Sequence, residues 1–334
     1  MLLTRFIGYA FNSYQRPSTL LKSHFQLLNK QQAPMQAIWM ILSAFLIASM
    51  GVCVKFASAY FTSAELVFYR GVVSVVFMVA YAQVHGTSLR TRYPGMHAWR
   101  SVIGVTSLSA WFYAIAHLPL ATAMTLNYMS SVWIAAFLVG GTLMLGKPGK
   151  KGPSQGPLVL AILASFAGVV MLLRPAMDQN QTFAGLIGLL SGLGAAFAYM
   201  HVMAISRMGE PEIRTVFYFA VGTVVAGALG MSVTGLSSWN WQHALWLPPL
   251  GILASLGQLA MTKAYSMSQN HGGTLMVANL QYSGIVFAAL YGLMLFGDQI
   301  PLIGWAGMAL IVVSAISATV LRARAAPDTP AEEH

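Results

Sequence analysis

The sequence predicts an all-α integral membrane protein with ten transmembrane helices, arranged as two inverted five-helix repeats. Only 8% of its 334 residues are Asp, Glu, Lys or Arg, against about 25% in an average soluble domain. Hydrophobic residues make up 57% of the chain, and the mean hydropathy is +0.67. So few charges cannot cover the surface of a soluble protein of this length, and the chain is therefore predicted to cross a membrane many times.

Ten apolar stretches have the length that a membrane helix needs, which is about 20 mostly apolar residues. They lack the alternation typical of the strands of a membrane β-barrel. The third and fourth stretches are joined only by His117-Leu-Pro-Leu120, where a proline suits a turn or a helix start. The predicted spans are residues 36–57, 64–84, 100–117, 121–146, 157–173, 183–205, 214–235, 244–267, 272–296 and 301–321.

Basic residues test this count independently, because cytoplasmic loops are rich in Lys and Arg. With both termini cytoplasmic, fourteen of the eighteen bases lie on the inner side and only Arg174 lies in an outer loop. The bias predicts a multi-pass protein of the cell inner (plasma) membrane. The fourteen are Arg5, Arg16, Lys22, Lys30, Arg90, Arg92, Arg100, Lys147, Lys150, Lys151, Arg207, Arg214, Arg322 and Arg324.

The two ends of the chain fall outside the predicted spans. Residues 1–35 contain no acid and four bases, and we interpret them as a cytoplasmic tail. Their composition also resembles an organellar transit segment, and Met35 offers an alternative start just before the first span. Residues 322–334 are predicted to form a short polar cytoplasmic tail.

A weak internal repeat relates the first five predicted helices to the last five. Ser107-Leu-Ser-Ala110 matches Ser255-Leu-Gly-Gln258 at an offset of 148 residues, and the helix ends at Gly146 and Gly297 match at an offset of 151. Residues 36–174 therefore pair with residues 183–321. Because each half has an odd number of helices, the halves enter the bilayer in opposite orientations. Such repeats are typical of secondary transporters, whose substrate site lies near the middle of the membrane between the halves.

Several short motifs occur in an order that is typical of one known family. They are Lys55, the stretches 63–70 and 112–123, Gly257-Gln258, Ala264-Tyr265, the stretch 296–301, Gly304 and Gly307. Through this ordered set, residues 36–320 resemble the EamA-type transporters of the drug/metabolite transporter (DMT) superfamily. The chain departs from their pattern at Gly146-Lys147, where the family usually has Gly-Glu, and at Ser130-Ser131, where a proline is common. The resemblance implies transport of small metabolites such as amino acids, nucleobases or amphipathic compounds.

Ionisable residues inside predicted spans are costly and indicate either function or a structural pair. Arg70 either contacts substrate or holds a helix in place, and Lys55 either has a function or extends its amine to the interface. Lys263 has no obvious acidic partner. His201 is a candidate for proton coupling, with a simple hydrogen bond as the alternative, and Glu65 is the only acid within a predicted span.

Polar stripes on three predicted helices indicate either a cavity lining or hydrogen bonds between helices. Each stripe has the three- and four-residue spacing of one helical face. Trp111 and Tyr199 are candidate aromatic walls, and the cavity is predicted to lie mainly between helices three, four, eight and nine. The stripes are Asn127, Ser130 and Ser131 in helix four; Ser255, Gln258, Thr262 and Tyr265 in helix eight; and Asn279, Tyr282 and Ser283 in helix nine.

The sequence contains no Walker, His-Glu-x-x-His or Gly-x-Ser-x-Gly motif, and it has a single cysteine, Cys53. We therefore expect no enzyme activity, cofactor or metal. Nucleic acid is not an expected partner despite the net charge of +10, because no basic stretch is dense enough. The expected partners are the lipid bilayer and a small-molecule substrate.

The charges inside the predicted spans are three bases against one acid, which favours a carboxylate or zwitterionic substrate and so an amino-acid-like metabolite. A lipid or amphiphile flippase and a passive metabolite channel are the alternatives, and an intramembrane enzyme is a weaker one. The sequence leaves open coupling to a proton or another ion, exchange, and a homodimer. Small residues such as Gly188 and Gly192 are predicted to support close helix packing.

Overall fold

The structure, a computed structural model, describes residues 19–134, 136–137, 156–178, 181–267, 277 and 279–325. Side chains are described within these ranges except at 19–34, 156–158, 173–178, 315, 318–319 and 321–325. Helix accounts for 84% of the described residues, and no strand occurs among them. The predicted all-α class is therefore confirmed.

The helices are joined mostly by short turns, and a four-residue helical turn, Trp241–Ala244, precedes the eighth. A five-residue π-helix, Gly292–Phe296, extends the ninth. In chain order the helices are α1 Thr19–Ala57, α2 Ser63–Val84, α3 Pro94–His117, α4 Leu120–Tyr128, α5 Gly156–Asp178, α6 Thr182–Arg207, α7 Glu212–Thr234, α8 Leu247–Ser266, α9 Ser283–Tyr291 and α10 Leu302–Ala325.

Five described segments are long and apolar enough to cross a membrane, namely Met35–Ala57, Ser63–Val84, Thr182–Arg207, Glu212–Thr234 and Trp241–Ser266. Three shorter apolar segments lie within other predicted spans, at Val159–Leu172, Ser283–Phe296 and Leu302–Ser314. Helix α3 has the length of a span but is less apolar, since it carries His97, Arg100 and His117. The chain is thus a multi-pass membrane protein.

Two helices begin earlier than the sequence predicts. Helix α3 begins at Pro94, which occupies the first helical position, where its missing N–H costs nothing. Helix α1 begins at Thr19, within the predicted tail. Several predictions fall outside the described residues: the tail 1–18, the end of the fourth span with Lys147 (138–147), the start of the ninth (272–276) and the last tail residues (326–334).

The helices pack in four extensive pairs: α1 with α8, α3 with α6, α2 with α7, and α5 with α10. Lipid offers helices no hydrophobic driving force, so they associate through van der Waals packing, and small residues allow the close approach that this packing needs. Serine hydroxyls add hydrogen bonds across the pairs. Ser43 donates to the Gly257 carbonyl at 2.8 Å, and Ser107 donates to the Ser191 carbonyl at 2.7 Å.

Two helix ends are fixed by local chemistry. Thr62 and Glu65 form a reciprocal capping box at the start of α2, which satisfies backbone N–H groups that the first turn leaves without partners. The π-helix ends at Gly297, whose φ of 61° is left-handed and favours glycine. This turn directs the chain back and positions Asp298 beside the ends of α1 and α3.

Two helices are interrupted in the middle of the protein. A turn at Met129 separates α4 from the helical residues 130–134, and the Met129 N–H contacts the carbonyls of both Thr125 and Leu126. A turn at Gln281 and Tyr282 separates residues 279–280 from α9. Local tightening within a helix often marks a functional position.

Candidate functional site

A cavity of about 50 Å³ lies inside the helical bundle. A water molecule occupies about 30 Å³ in the liquid, so the space accommodates a small polar group. Its walls come from α1, α2, α3, α4, α6, α7 and α8. The polar residues that line it are Arg70, Arg100, Ser107, Asn127, Tyr199 and Gln258, and the aromatic ones include Trp111, Tyr128 and Phe219.

Two arginines face the same aromatic ring of this cavity. The guanidinium carbon of Arg100 lies 3.9 Å from the centre of the Phe219 ring, and that of Arg70 lies 5.3 Å from it. Each arginine is only 2% exposed. A cation over an aromatic face is attracted by the ring quadrupole, so Phe219 holds both side chains close together. Arg100 also donates to the Gln258 side-chain oxygen at 3.4 Å.

Hydrogen bonds fix the opposite wall. The Asn127 amide donates to the Ser191 hydroxyl at 3.0 Å, and that hydroxyl donates to the Gly188 carbonyl at 2.6 Å. The Gln281 amide donates to the Tyr199 hydroxyl at 2.9 Å. Buried polar groups need such partners, because lipid and apolar side chains cannot supply them. These hydrogen bonds therefore hold the polar side chains of this wall in place.

The structure brings five of the sequence-predicted residues together at this cavity: Arg70, Trp111, Asn127, Tyr199 and Gln258. They come from helices α2, α3, α4, α6 and α8. The predicted walls from helices three, four and eight are represented. Helix α9 contributes none of the described lining residues, and α1, α2, α6 and α7 contribute instead.

Other members of the predicted stripes lie among packed helices and not on the described cavity lining. Ser130, Ser131 and Thr262 are buried. Tyr282 is buried edge-on against Tyr128, with ring centres 6.4 Å apart. These positions match the alternative of packing between helices. The remaining predicted residues away from the lining are Asn279 and Ser283, both partly buried, and His201, which is buried.

The predicted charged residues other than Arg70 have partners near the ends of helices. Lys55 lies 3.1 Å from Asp298 and also donates to the Leu118 carbonyl at 3.0 Å. Lys263, expected to lack an acidic partner, pairs with Glu212 at 3.3 Å, which corrects that expectation. The Glu65 carboxylate accepts hydrogen bonds from the Thr62 N–H at 2.7 Å and from the Ser237 N–H at 2.9 Å.

Sequence reasoning missed Arg100 as a cavity residue and counted it with the inner-loop charges. The error follows from the position of the helix start, since a helix that begins at Pro94 places Arg100 inside its second turn. The signal was present: Arg100, Gly104, Ser107 and Trp111 recur at intervals of four, three and four residues, which is one helical face. All four line the cavity.

The cavity residues have more hydrogen-bond donors than their neighbours satisfy. Within the described part of the chain, no partner is found for Arg70 Nε, Arg100 Nε and Nη1, Trp111 Nε1 or the Tyr128 hydroxyl. The arginine and indole groups can only donate. The arrangement is therefore suited to a ligand rich in acceptor oxygens, and no cluster of metal-ligating residues occurs among the described residues.

Comparison with known proteins identifies transporters as relatives, although no family model matches the chain. The pseudopaline exporter CntI of Pseudomonas aeruginosa (strain UCBPP-PA14) is 32% identical over 281 residues, which cover 83% of this chain and 93% of the exporter. A riboflavin transporter of Rhizobium johnstonii is 25% identical over 288 residues, which cover 85% of this chain and 91% of the transporter.

More distant similarity points the same way. An S-adenosylmethionine uptake transporter of Rickettsia felis is 22% identical over 267 residues, covering 78% of this chain and 84% of the transporter. A solved crystal structure shares the fold with a TM-score of 0.58 at 19% identity, covering 86% of this chain and 98% of the other. Because the identity to the pseudopaline exporter extends over most of both chains, this chain belongs to the family of membrane transporters that contains that exporter.

Proposed function

We propose that the chain is a secondary transporter of the EamA type within the DMT superfamily. It moves a small polar or amphipathic metabolite, with an amino-acid-like compound favoured, across the cytoplasmic membrane by alternating access. The observation that carries this proposal is the cavity between helices of the two halves, whose lining includes six polar residues, in a chain whose relatives are named as transporters. It has both termini in the cytoplasm and is not an enzyme.

The pairing of the helices supports two inverted repeats, residues 36–174 and 183–321. If each helix of α1–α5 is replaced by its counterpart in α6–α10, and the reverse, the α1–α8 pair becomes the α6–α3 pair. The α2–α7 and α5–α10 pairs map onto themselves. These four are the most extensive pairs in the protein. Such a relation is expected of a transporter built from inverted repeats.

The interrupted helices give further support. The break at Met129 in the fourth helix and the break at Gln281–Tyr282 in the ninth fall at corresponding places in the two halves. Discontinuous helices at matching positions are typical of substrate sites in secondary transporters. Tyr128, directly before the first break, lines the cavity, and Tyr282 packs against it.

Counterflow in proteoliposomes tests the proposal. Liposomes that contain the purified full chain are preloaded with one unlabelled metabolite from a panel, and uptake of the labelled compound is followed. A carrier accelerates uptake only when the lumen contains a substrate. A passive channel gives no such acceleration, and a flippase moves labelled lipid instead, so either result would replace the proposed mechanism.

Two asparagine variants provide a matched comparison. Asn127→Ala removes a cavity amide that is bonded to Ser191, whereas Asn279→Ala changes a residue that is absent from the described lining. Loss of one buried hydrogen bond costs about 1–3 kcal/mol, so Asn127→Ala should reduce exchange by about fivefold or more. Equal exchange by both variants would show that the site lies elsewhere.

A further inference from the structure

Arg70 and Arg100 form a dicationic pair in the cavity. They come from neighbouring helices, α2 and α3, and both guanidinium carbons lie within 5.3 Å of the centre of the Phe219 ring. Both are 2% exposed, so bulk water screens their charges only weakly. Two like charges in such surroundings repel each other much more strongly than at a surface.

No acid balances these charges in the described part of the chain. None of the described cavity residues is Asp or Glu. Each acid whose side chain the structure describes is engaged elsewhere: Glu65 with Thr62 and Ser237, Glu210 with Arg92 and Arg214, Glu212 with Lys263 and Ser266, and Asp298 with Lys55 and Leu120.

Buried charge inside a membrane protein requires a compensating partner. The Phe219 ring attracts both cations but carries no net charge, and Gln258 accepts only one weak bond from Arg100. The guanidinium group offers a planar fork of donors that matches the two oxygens of a carboxylate. The unpartnered Trp111 indole and Tyr128 hydroxyl supply further donors at the same cavity.

We infer that Arg70 and Arg100 together bind a carboxylate of the transported substrate, so that the substrate is a carboxylic acid that is ionised at neutral pH. This inference rests on the proposed transport function and narrows its substrate class. Phe219 holds the two guanidinium groups side by side, and Gln258 orients that of Arg100. A cavity of about 50 Å³ takes the carboxylate end of the molecule, and the polar wall at Asn127 faces the rest.

A binding experiment on the purified full chain in detergent tests the site without requiring transport. Thermal unfolding is measured with succinate, with its uncharged analogue succinamide, with acetate and with inorganic phosphate, all at equal ionic strength. Succinate should raise the midpoint by about 2 °C or more at millimolar concentration, acetate should do so less, and succinamide should leave the midpoint unchanged.

Variants assign the effect to the two arginines. Arg70→Gln and Arg100→Gln should weaken succinate binding at least tenfold, whereas Arg90→Gln, which changes an exposed base, should leave it intact. Arg70→Lys and Arg100→Lys keep the charge without the fork and should fold normally but bind more weakly. Equal shifts in all variants, a shift with phosphate alone, or no shift with either acid would overturn the inference.

Exchange in liposomes separates this inference from the proposed function. Exchange of labelled succinate but not succinamide is the expected result. Exchange of uncharged or cationic metabolites without acids would overturn the carboxylate site and leave the transporter standing. Succinate-dependent stabilisation with no exchange of any compound would remove the proposed transport function and leave the anion site.

Discussion

The Lys55–Asp298 ion pair joins three segments at one end of the bundle. Asp298 accepts hydrogen bonds from the Lys55 amine at 3.1 Å and from the Leu120 N–H at 2.9 Å, and it thereby links the end of α1 to the start of α4. Asp298→Ala should destabilise the protein by about 3 kcal/mol, because it leaves the Leu120 N–H without an acceptor and the partly buried Lys55 amine without an opposite charge, bonded only to the Leu118 carbonyl.

Asp298→Asn retains an acceptor oxygen and should cost about half as much. Thermal unfolding in detergent checks both values, and a double-mutant cycle with Lys55→Met isolates the pair. The interpretation fails if Asn and Ala are equally destabilising, or if Lys55→Met makes no difference to the effect of the Asp298 variants.

Glu210, in the loop between α6 and α7, should make the stability of the protein depend on pH. Burial raises the pKa of Glu210, but hydrogen bonds from the Arg92 N–H and the Arg214 guanidinium outweigh it and hold the pKa below its ordinary value of 4.5. His97 lies 3.6 Å away. A carboxyl group with a lowered pKa in the folded state stabilises the protein above the unfolded value and loses that contribution as the pH falls.

The unfolding midpoint should therefore fall as the pH drops below about 4.5 and through the lower folded pKa. In Glu210→Gln this part of the decline should be smaller, while the midpoint at neutral pH should already be reduced. Thermal scans between pH 3 and pH 7 check the difference between the two curves. Parallel curves across that window would contradict the assignment to Glu210.

Which residues could be predicted from the sequence depends on how far away their partners lie. The stripe of Asn127 and the apolar setting of Arg70 are local patterns, and both residues do lie at the cavity. The partner of Lys55 is 243 residues away, and that of Lys263 is 51 residues away. No helical period connects such positions, so the pairs appear only once the helices are packed.

At the scale of elements, α5 and α10 cross at two glycines that leave no room for a side chain. A Cβ atom at Gly307 would lie 2.7 Å from the Gly168 carbonyl oxygen, and one at Gly168 would lie 2.8 Å from the Gly307 carbonyl oxygen. Close by, Ser165 and Ser314 share a hydrogen bond of 2.7 Å. The backbone atoms cannot yield as a side chain would, so larger residues must separate the helices.

Gly307→Ala should therefore destabilise the protein by about 1–3 kcal/mol through overpacking. Gly95→Ala is the matched control, because it lies in helix α3 with nothing within 4 Å of the added atom. The control should be neutral or slightly stabilising, by up to about 1 kcal/mol. Equal effects of the two substitutions on thermal unfolding would show that the crossing is looser than the backbone distances indicate.

Helix positions were predictable where apolar runs end at charged or turn-forming residues. The predicted spans 64–84 and 183–205 agree with α2 and α6 to within about two residues, as expected of long apolar segments. The interruption at Met129 was not predicted, because Ser130 and Ser131 continue a helical polar pattern. In the structure, the Tyr128 side chain next to this interruption packs closely against Gly284. That contact joins residues far apart in the sequence and exists only in the folded protein.

At the scale of the whole molecule, the main helix contacts join the first half of the chain to the second. The four main helix pairs each join an element of the first half to an element of the second. Movement of one half against the other therefore changes the contacts at both ends of the bundle. The Lys55–Asp298 ion pair joins the two halves near one end of the bundle, so the proposed movement would have to break it, whereas Glu212–Lys263 lies within the second half and would be kept.

Orientation in the membrane gives a prediction for the whole molecule. The loop between α2 and α3 contains Ser88, and the loop between α7 and the Trp241–Ala244 turn contains Ser238; both serines are exposed. If both termini are cytoplasmic, Ser88 lies inside and Ser238 lies outside. Cys53, the single cysteine of the chain, is only 5% exposed, so the unaltered protein should not react with a charged maleimide.

Ser238→Cys should then react with the reagent in intact cells, whereas Ser88→Cys should react only in inside-out vesicles. The reagent distinguishes the two sides of the membrane, because a charged molecule does not cross the bilayer. Labelling of Ser88→Cys from outside would show that the orientation is the opposite of the one predicted. Labelling of both variants from the same side would show that an even number of spans separates the two loops. In the second case the halves could not be inverted copies, since an inverted repeat requires that equivalent loops face opposite compartments.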